Sequence, residues 1–196
     1  MFRDQTFLMR KAIGSVPLLI ASILTAAAAA PPPPMVGSKA PDFSLSSVSG
    51  KTVRLSDLQG SGPVVLVVLR GFPGYQCPLC NRQVQEFIQK SSSFAERGAR
   101  IVMVYPGPPQ DLNAKAAEFL ANKTLPDSFD LLLDPGYEFT NLYGLRWTAP
   151  KETAYPSTFL IDAQGVVFFS KSAKSHAGRT TSAEILDLLP KPKTTP

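Results

Sequence analysis

Apolar residues in this chain gather into short unbroken runs, separated by stretches in which they recur every three or four positions. Val64 to Leu69 is an uninterrupted, β-branched-rich run and predicts a central strand buried on both faces. After the Gly71-Phe72-Pro73-Gly74 loop, Val84, Phe87, Ile88 and Phe94 form the apolar stripe of a helix. Arg82, Gln85, Glu86, Gln89 and Lys90 fall on its other side, and Gly98 marks its end. Arg100 to Tyr105 predicts a second strand. The Pro106 to Pro109 loop then leads to a helix with Leu112, Ala116, Phe119 and Leu120 on one face. Leu131 to Asp134 reads as a short strand and Tyr137 to Tyr143 as a short helix ended by Gly144.

Ser157 to Asp162 and Val166 to Ser170 flank Ala163-Gln164-Gly165, a hairpin signal in which Asp162 organises the turn. Thr181 to Leu189 is the last helix. Ahead of the central strand, Ser49-Gly50-Lys51 predicts a turn before a short strand, Thr52 to Leu55, and Ser56 a cap on a brief helical turn. Strands alternating with helices, then a hairpin, imply an α/β fold: a central mixed β-sheet with helices on both faces.

The ends carry a different composition. Arg3, Arg10 and Lys11 precede an uncharged stretch from Ala12 to Ala30 that closes on a run of alanines. A basic start, an apolar middle and small residues form the pattern of a secretory signal peptide over residues 1–30, with cleavage expected within Ala26 to Ala29. The alternative is a retained N-terminal anchor, since about 18 apolar residues can span a bilayer. On either reading the domain is exported, to a periplasmic or other extracytoplasmic compartment. Residues 31–40 are Pro-rich and then Gly/Ser/Lys-containing, which predicts an extended tether. Residues 41–190 form the domain, and 191–196 a tail expected to fray.

Length and charge narrow the class. A chain of 196 residues is sized for one domain. Loss of Arg3, Asp4, Arg10 and Lys11 with the signal lowers the net charge from +5 to +3, and no basic cluster with interleaved aromatics remains to suggest nucleic acid. A membrane enters only if the N-terminal segment is kept.

The chemistry sits in Cys77-Pro78-Leu79-Cys80, which holds both cysteines of the chain. Cys77 falls at the mouth of the amphipathic helix, with Pro78 at the first helical position, where its missing N–H costs nothing. There, unpaired backbone N–H groups and the positive end of the helix dipole favour thiolate over thiol. Half of a metal site is a poor alternative: a structural zinc needs four ligands, and the chain adds only His176. No metal or cofactor is expected. Two inert cysteines at a helix end are the other alternative. His176 itself, in a polar segment, reads as a solvated loop residue, and Lys171, Lys174 and Arg179 as a solvated face. Trp147 reads as packing near the rim of the site.

Three elements in order resemble the thioredoxin-like superfamily, in the branch that groups extracytoplasmic thioredoxin-like reductases with peroxiredoxins of the AhpC/TSA type. They are Ala40-Pro41-Asp42-Phe43 with Gly50-Lys51 and Leu55-Ser56-Asp57-Leu58; the Val64 strand leading to the dithiol; and Tyr155-Pro156-Ser157-Thr158-Phe159-Leu160-Ile161-Asp162 with Gly165. The resemblance spans about residues 36–190 and implies a thioredoxin-like fold. It also implies that Pro156 is a cis-proline opposite the dithiol and, with Tyr155, faces the substrate. Tyr75 and Phe72 are candidate contacts for a partner chain.

Within that branch the details pull two ways. Pro73 to Cys80 matches a peroxiredoxin frame if Cys80 is the peroxidatic residue, but Cys77 then takes the place of the usual hydroxyl, and Pro156 that of the usual arginine. Arg70, Arg82 or Arg146 could replace the arginine. In the reductase frame Cys77 attacks a disulfide and Cys80 resolves the mixed disulfide. The strand before the dithiol lacks the buried acid that some thioredoxins carry there. The expected activity is therefore an exported thiol–disulfide oxidoreductase using Cys77 and Cys80. A peroxiredoxin-type thiol peroxidase is the alternative, and a non-catalytic binding module with a structural disulfide the second. Partners would be a protein disulfide or a hydroperoxide, and an electron-donating thiol protein.

Overall fold

The central apolar run becomes β3 (Val64–Val68), buried at every position. In a computed structural model of the protein, which describes Met1 and residues 30–191, β3 lies in the middle of a five-stranded sheet of order β5-β4-β3-β6-β7. It pairs parallel with β4 (Arg100–Gly107) and antiparallel with β6 (Ser157–Ile161). β5 (Phe129–Pro135) extends the sheet parallel to β4, and β7 (Val167–Ser172) extends it antiparallel to β6. Parallel β3 and β4 require a crossover, which α2 (Pro78–Gln89) and α3 (Ser91–Glu96) supply. The signal or anchor segment and most of the expected frayed tail lie outside the described residues. Among those described, no helix is long and apolar enough to cross a membrane.

Alternation along β3 sends its side chains into two cores. Val65, Val67 and Leu69 join Val84, Phe87, Phe94, Phe119 and Ile185 on one face, with Cys77 and Cys80 in the same cluster. Val64, Leu66 and Val68 join Phe43, Leu55, Phe139, Tyr143 and Phe159 on the other. The first face is covered by α2, α3, α4 (Leu112–Leu120) and α6 (Ser182–Leu188). The second is covered by α1 (Leu55–Leu58), α5 (Glu138–Leu142) and a small antiparallel ribbon of β1 (Ser44–Ser46) and β2 (Thr52–Arg54). The hairpin turn forms as expected: Asp162 Oδ1 accepts the N–H groups of Gln164 at 2.9 Å and Val166 at 2.8 Å.

Four local expectations are corrected. The helix expected to run to Gly98 breaks at Lys90 (φ −103°, ψ 16°), where a serine run begins. Serine side chains compete for backbone groups and weaken helix interiors. Ser56 does not cap α1; its N–H and hydroxyl bond instead to the Asp42 carboxylate at 2.9 and 3.0 Å. Residues 34–40 are docked rather than free: the N–H groups of Gly37 and Ala40 donate to Val167 and Gly165 carbonyls at 2.8 and 3.0 Å, and Pro34 is buried. Pro156 is trans, since no cis peptide bond occurs among the described residues. Its carbonyl accepts from Ala173 N–H at 2.8 Å and Tyr155 N–H donates to Leu145 at 2.9 Å, so the segment enters β6 already extended and paired. Trans is the lower-energy amide for such a stretch.

Candidate active site

β3 delivers the chain to the site through a tight turn. Gly71 has φ +69°, and a Cβ there would fall 1.9 Å from the Pro106 carbonyl oxygen, so only glycine fits. Phe72 N–H donates to that carbonyl at 2.9 Å. Gln76 fixes the far end of the loop: its Nε2 donates to Lys115 O and its Oε1 accepts from Tyr105 Oη, both at 2.8 Å.

Cys77 then forms the N-cap of α2 in an extended conformation, with Pro78 behind it in the first turn. Its Sγ accepts the Cys80 N–H at 3.4 Å. Cys77 is 3% exposed and Cys80 fully buried, and the two are not bridged.

The two sulfurs are electrostatically opposite. The Cys80 S–H donates to Cys77 and, against the cost of burial, lowers the Cys77 pKa to about 5, helped by the Cys80 N–H and the charges of Arg179 and Arg70. Burial pushes the Cys80 thiol well up, and its bond to the Cys77 sulfur adds to this. The pair is thus a thiolate beside a thiol at neutral pH. A thiolate can attack a disulfide or a peroxide, and a thiol one turn away can close an intramolecular disulfide.

Arg179, read from the sequence as part of a solvated face, is instead turned inward against the dithiol. It arrives from the segment between β7 and α6, with Nη2 3.7 Å from Cys77 Sγ and Nη1 donating to Gln83 Oε1 at 3.3 Å. A lone arginine in a Ser/Lys/Gly stretch, far from Cys77 in sequence, gave no signal of this.

Of the arginines considered from sequence, Arg70 follows β3 and is buried, its charge felt at Cys77. Its Nε meets Glu152 Oε2 at 2.5 Å, while Nη1 donates to Tyr75 Oη and Nη2 to Lys151 O, both at 2.6 Å. Arg82 is exposed on α2. Arg146 lies elsewhere, over the Tyr137 ring at 3.8 Å.

Glu152 ties these loops together. Burial works against its charge, but bonds from Arg70 and His176 hold its carboxyl below the ordinary range. His176 Nε2 lies 2.8 Å from Glu152 Oε1, so the exposed histidine is a tether between loops. Its ring meets Trp147 edge-on at 5.3 Å, and Trp147 stacks on Tyr155 at 4.7 Å. Pro156, buried, sits one step before the Ser157–Val68 pair and so at the level of Leu69, the end of the sheet that leads to the dithiol. Tyr75 is 45% exposed, held by its hydroxyl to Arg70. Among the described residues, Lys171 pairs with Glu184 at 2.9 Å, and no group of three or more His, Cys, Asp and Glu gathers as a metal cluster would.

A dithiol split into thiolate and thiol, at the head of a helix on a thioredoxin-like sheet, defines a thiol oxidoreductase. The AhpC/TSA family profile matches residues 36–170, and the chain belongs to that family. It is 33% identical to peroxiredoxin Bcp of Bacillus subtilis (strain 168) over 136 residues, 66% of this chain and 80% of that protein. It is 30% identical to the thiol-disulfide oxidoreductase ResA of Geobacillus kaustophilus (strain HTA426) over 169 residues, 85% of this chain and 87% of that protein. Among solved structures, peroxidoxin BcpB from Mycobacterium tuberculosis superposes with a TM-score of 0.57 at 26% identity, covering 72% of this chain and 88% of that one. Both classes of relative are oxidoreductases, and the chain is one.

Proposed function

We propose that the chain is a thiol–disulfide oxidoreductase in which Cys77 is the attacking sulfur and Cys80 the resolving one. The observation that carries this is the split in ionisation: the thiolate is at Cys77, while Cys80 is buried and protonated. Cys77 S⁻ attacks one sulfur of a substrate disulfide, forming a mixed disulfide and releasing the other sulfur as a thiolate. That thiolate takes up the Cys80 proton. The Cys80 sulfur then displaces the remaining substrate sulfur from Cys77. The substrate is reduced by two electrons and the dithiol oxidised to a disulfide. A separate thiol protein returns the electrons.

Tyr75, Tyr155 and Pro156 form the substrate-facing rim in this reading. Tyr75 suits that place through its exposure, and Pro156 through its level on the sheet. Export follows from the basic-apolar-alanine pattern of residues 1–30. The mass of the mature chain tests it.

The peroxidase alternative with Cys80 as the reacting sulfur runs against the burial and protonation of that residue. Mixing the reduced full chain with a protein disulfide or with hydrogen peroxide separates the activities. The reductase gives brisk disulfide reduction and slow, non-saturating peroxide oxidation; the reverse pattern overturns this reading. Cys80→Ser should trap substrate on Cys77. If Cys77→Ser lowers stability and leaves substrate thiols unchanged, the chain is a binding module.

A further inference from the structure

The cavity beside Cys77 is lined by two arginines, of which the Cys77 sulfur engages one. It measures about 210 Å³ and opens between α2, through Leu79, Arg82, Gln83 and Glu86, and the segment that carries His176 and Arg179. Arg179 serves both the cavity wall and the Cys77 sulfur. Its Nε–H is buried and donates to nothing among the described residues. A buried donor without an acceptor is rare enough to need a reason. Arg82 enters no ion pair among the described residues. Glu86 is the cavity's one carboxylate, and it accepts the N–H and hydroxyl of Ser182 at 2.7 and 2.8 Å, which commits it to the start of α6.

Reaction changes this balance. While Cys77 is a thiolate, it is the counter-ion of Arg179. Once Cys77 enters a mixed disulfide its sulfur is neutral, and Arg179 has lost its anion while its Nε–H stays unmet. An anionic group that arrives on the substrate, close to the substrate sulfur, restores the pairing in the intermediate. Such a contact strengthens as the reaction proceeds, which is the kind that accelerates it.

We propose that this cavity is a subsite for the carboxylate of a small thiol or disulfide whose sulfur docks on Cys77, with Arg82 and Arg179 as its ligands. The proposal rests on Cys77 being the attacking sulfur. A guanidinium 3.7 Å from Sγ, plus an ion-pair contact of about 2.8 Å, places the carboxylate roughly two or three carbons from the substrate sulfur.

The test oxidises the reduced full chain with dithiodipropionate, which carries a carboxylate on each arm, or with the neutral dithiodiethanol, and follows loss of protein thiols. The Cys77 thiolate displaces half of either reagent as a thiolate, and Cys80 closes the protein disulfide and releases the second half. The readout is the ratio of the two second-order rate constants, compared between proteins so that the reagents' intrinsic reactivities cancel. Arg82→Glu is expected to lower this ratio about tenfold. Arg54→Glu, the same charge change at an exposed position of β2, is expected to move it by less than about twofold. If Arg82→Glu leaves the ratio unchanged, or Arg54→Glu lowers it equally, there is no subsite. If neither disulfide oxidises the dithiol, it is the thiol–disulfide exchange proposed for Cys77 that fails.

Discussion

Replacing Cys80 by alanine removes the largest influence that ionises Cys77, the S–H donated to its sulfur, and leaves the backbone N–H at 3.4 Å and the Arg179 guanidinium at 3.7 Å. Hydrogen bonds to charged groups are worth about 1.5–3 kcal/mol, and S–H is a weak donor, so the lower end applies. That is about one pH unit. The Cys77 pKa should therefore rise from about 5 to about 6 in Cys80→Ala, while Cys80→Ser, which keeps a hydroxyl donor, should stay near 5. The consequence for rate depends on two opposing effects. At pH 6 a thiol of pKa 9.0 is about 0.1% ionised and Cys77 about 90%, roughly a 900-fold difference. A less basic sulfur is a poorer nucleophile, with a Brønsted slope of about 0.45, which gives back roughly 60-fold. The net gain is about 15-fold, so ionisation wins. The assay is the pH profile of alkylation of the reduced chain, with mass spectrometry to assign the modified cysteine. A wild-type midpoint near the free-thiol value of about 8.5, or identical midpoints in the alanine and serine variants, would refute this account.

Other outcomes follow from the same structure. Cys77 has a depressed folded-state pKa, so its contribution to stability is full above the unfolded value near 9.0 and is lost as pH falls through about 5. Cys80, raised, stays protonated in the folded state, and its unfolded thiol ionises only as pH nears 9.0, where it begins to oppose the gain. The reduced protein should therefore gain Tm from pH 5 to about pH 8, and Cys77→Ser should flatten that slope. Glu152→Ala strands Arg70, a side chain 2% exposed whose ion pair measures 2.5 Å. The cost should be about 3 kcal/mol in urea unfolding; a loss under about 1 kcal/mol would mean that water satisfies the guanidinium. Gly71→Ala forces a Cβ to within 1.9 Å of a backbone oxygen at positive φ. It should cost at least about 2 kcal/mol by the same measurement, and a neutral result would show that the turn relaxes.

Much of the site was legible because its determinants are local. The apolar run of β3, Pro78 at the helix start and Cys77 ahead of it are adjacent in sequence, and a helix N-terminus acts on its own first residue. Arg179 was not legible, because its distance to Cys77 depends on how β7 and α6 pack against α2 across 102 residues of chain. Glu152 escaped for the same reason, being an ordinary loop acid until Arg70 and His176 meet it. The reading of Pro156 as cis went wrong differently. It came from family likeness, while the pairing of Pro156 O with Ala173 N–H sets the local chain path.

The docking of the segment before β1 reaches beyond that segment. Gly37 and Ser38 bond to Val167 on the outer side of β7, while Val48 N–H donates to Leu131 O on the outer side of β5. Residues 37–48 therefore cover part of each margin of the sheet, where unpaired backbone would otherwise template pairing with a second chain. Proteolysis that removed them would bare backbone at both edges, so the domain should become prone to self-association while Cys77 and Cys80 are still in place.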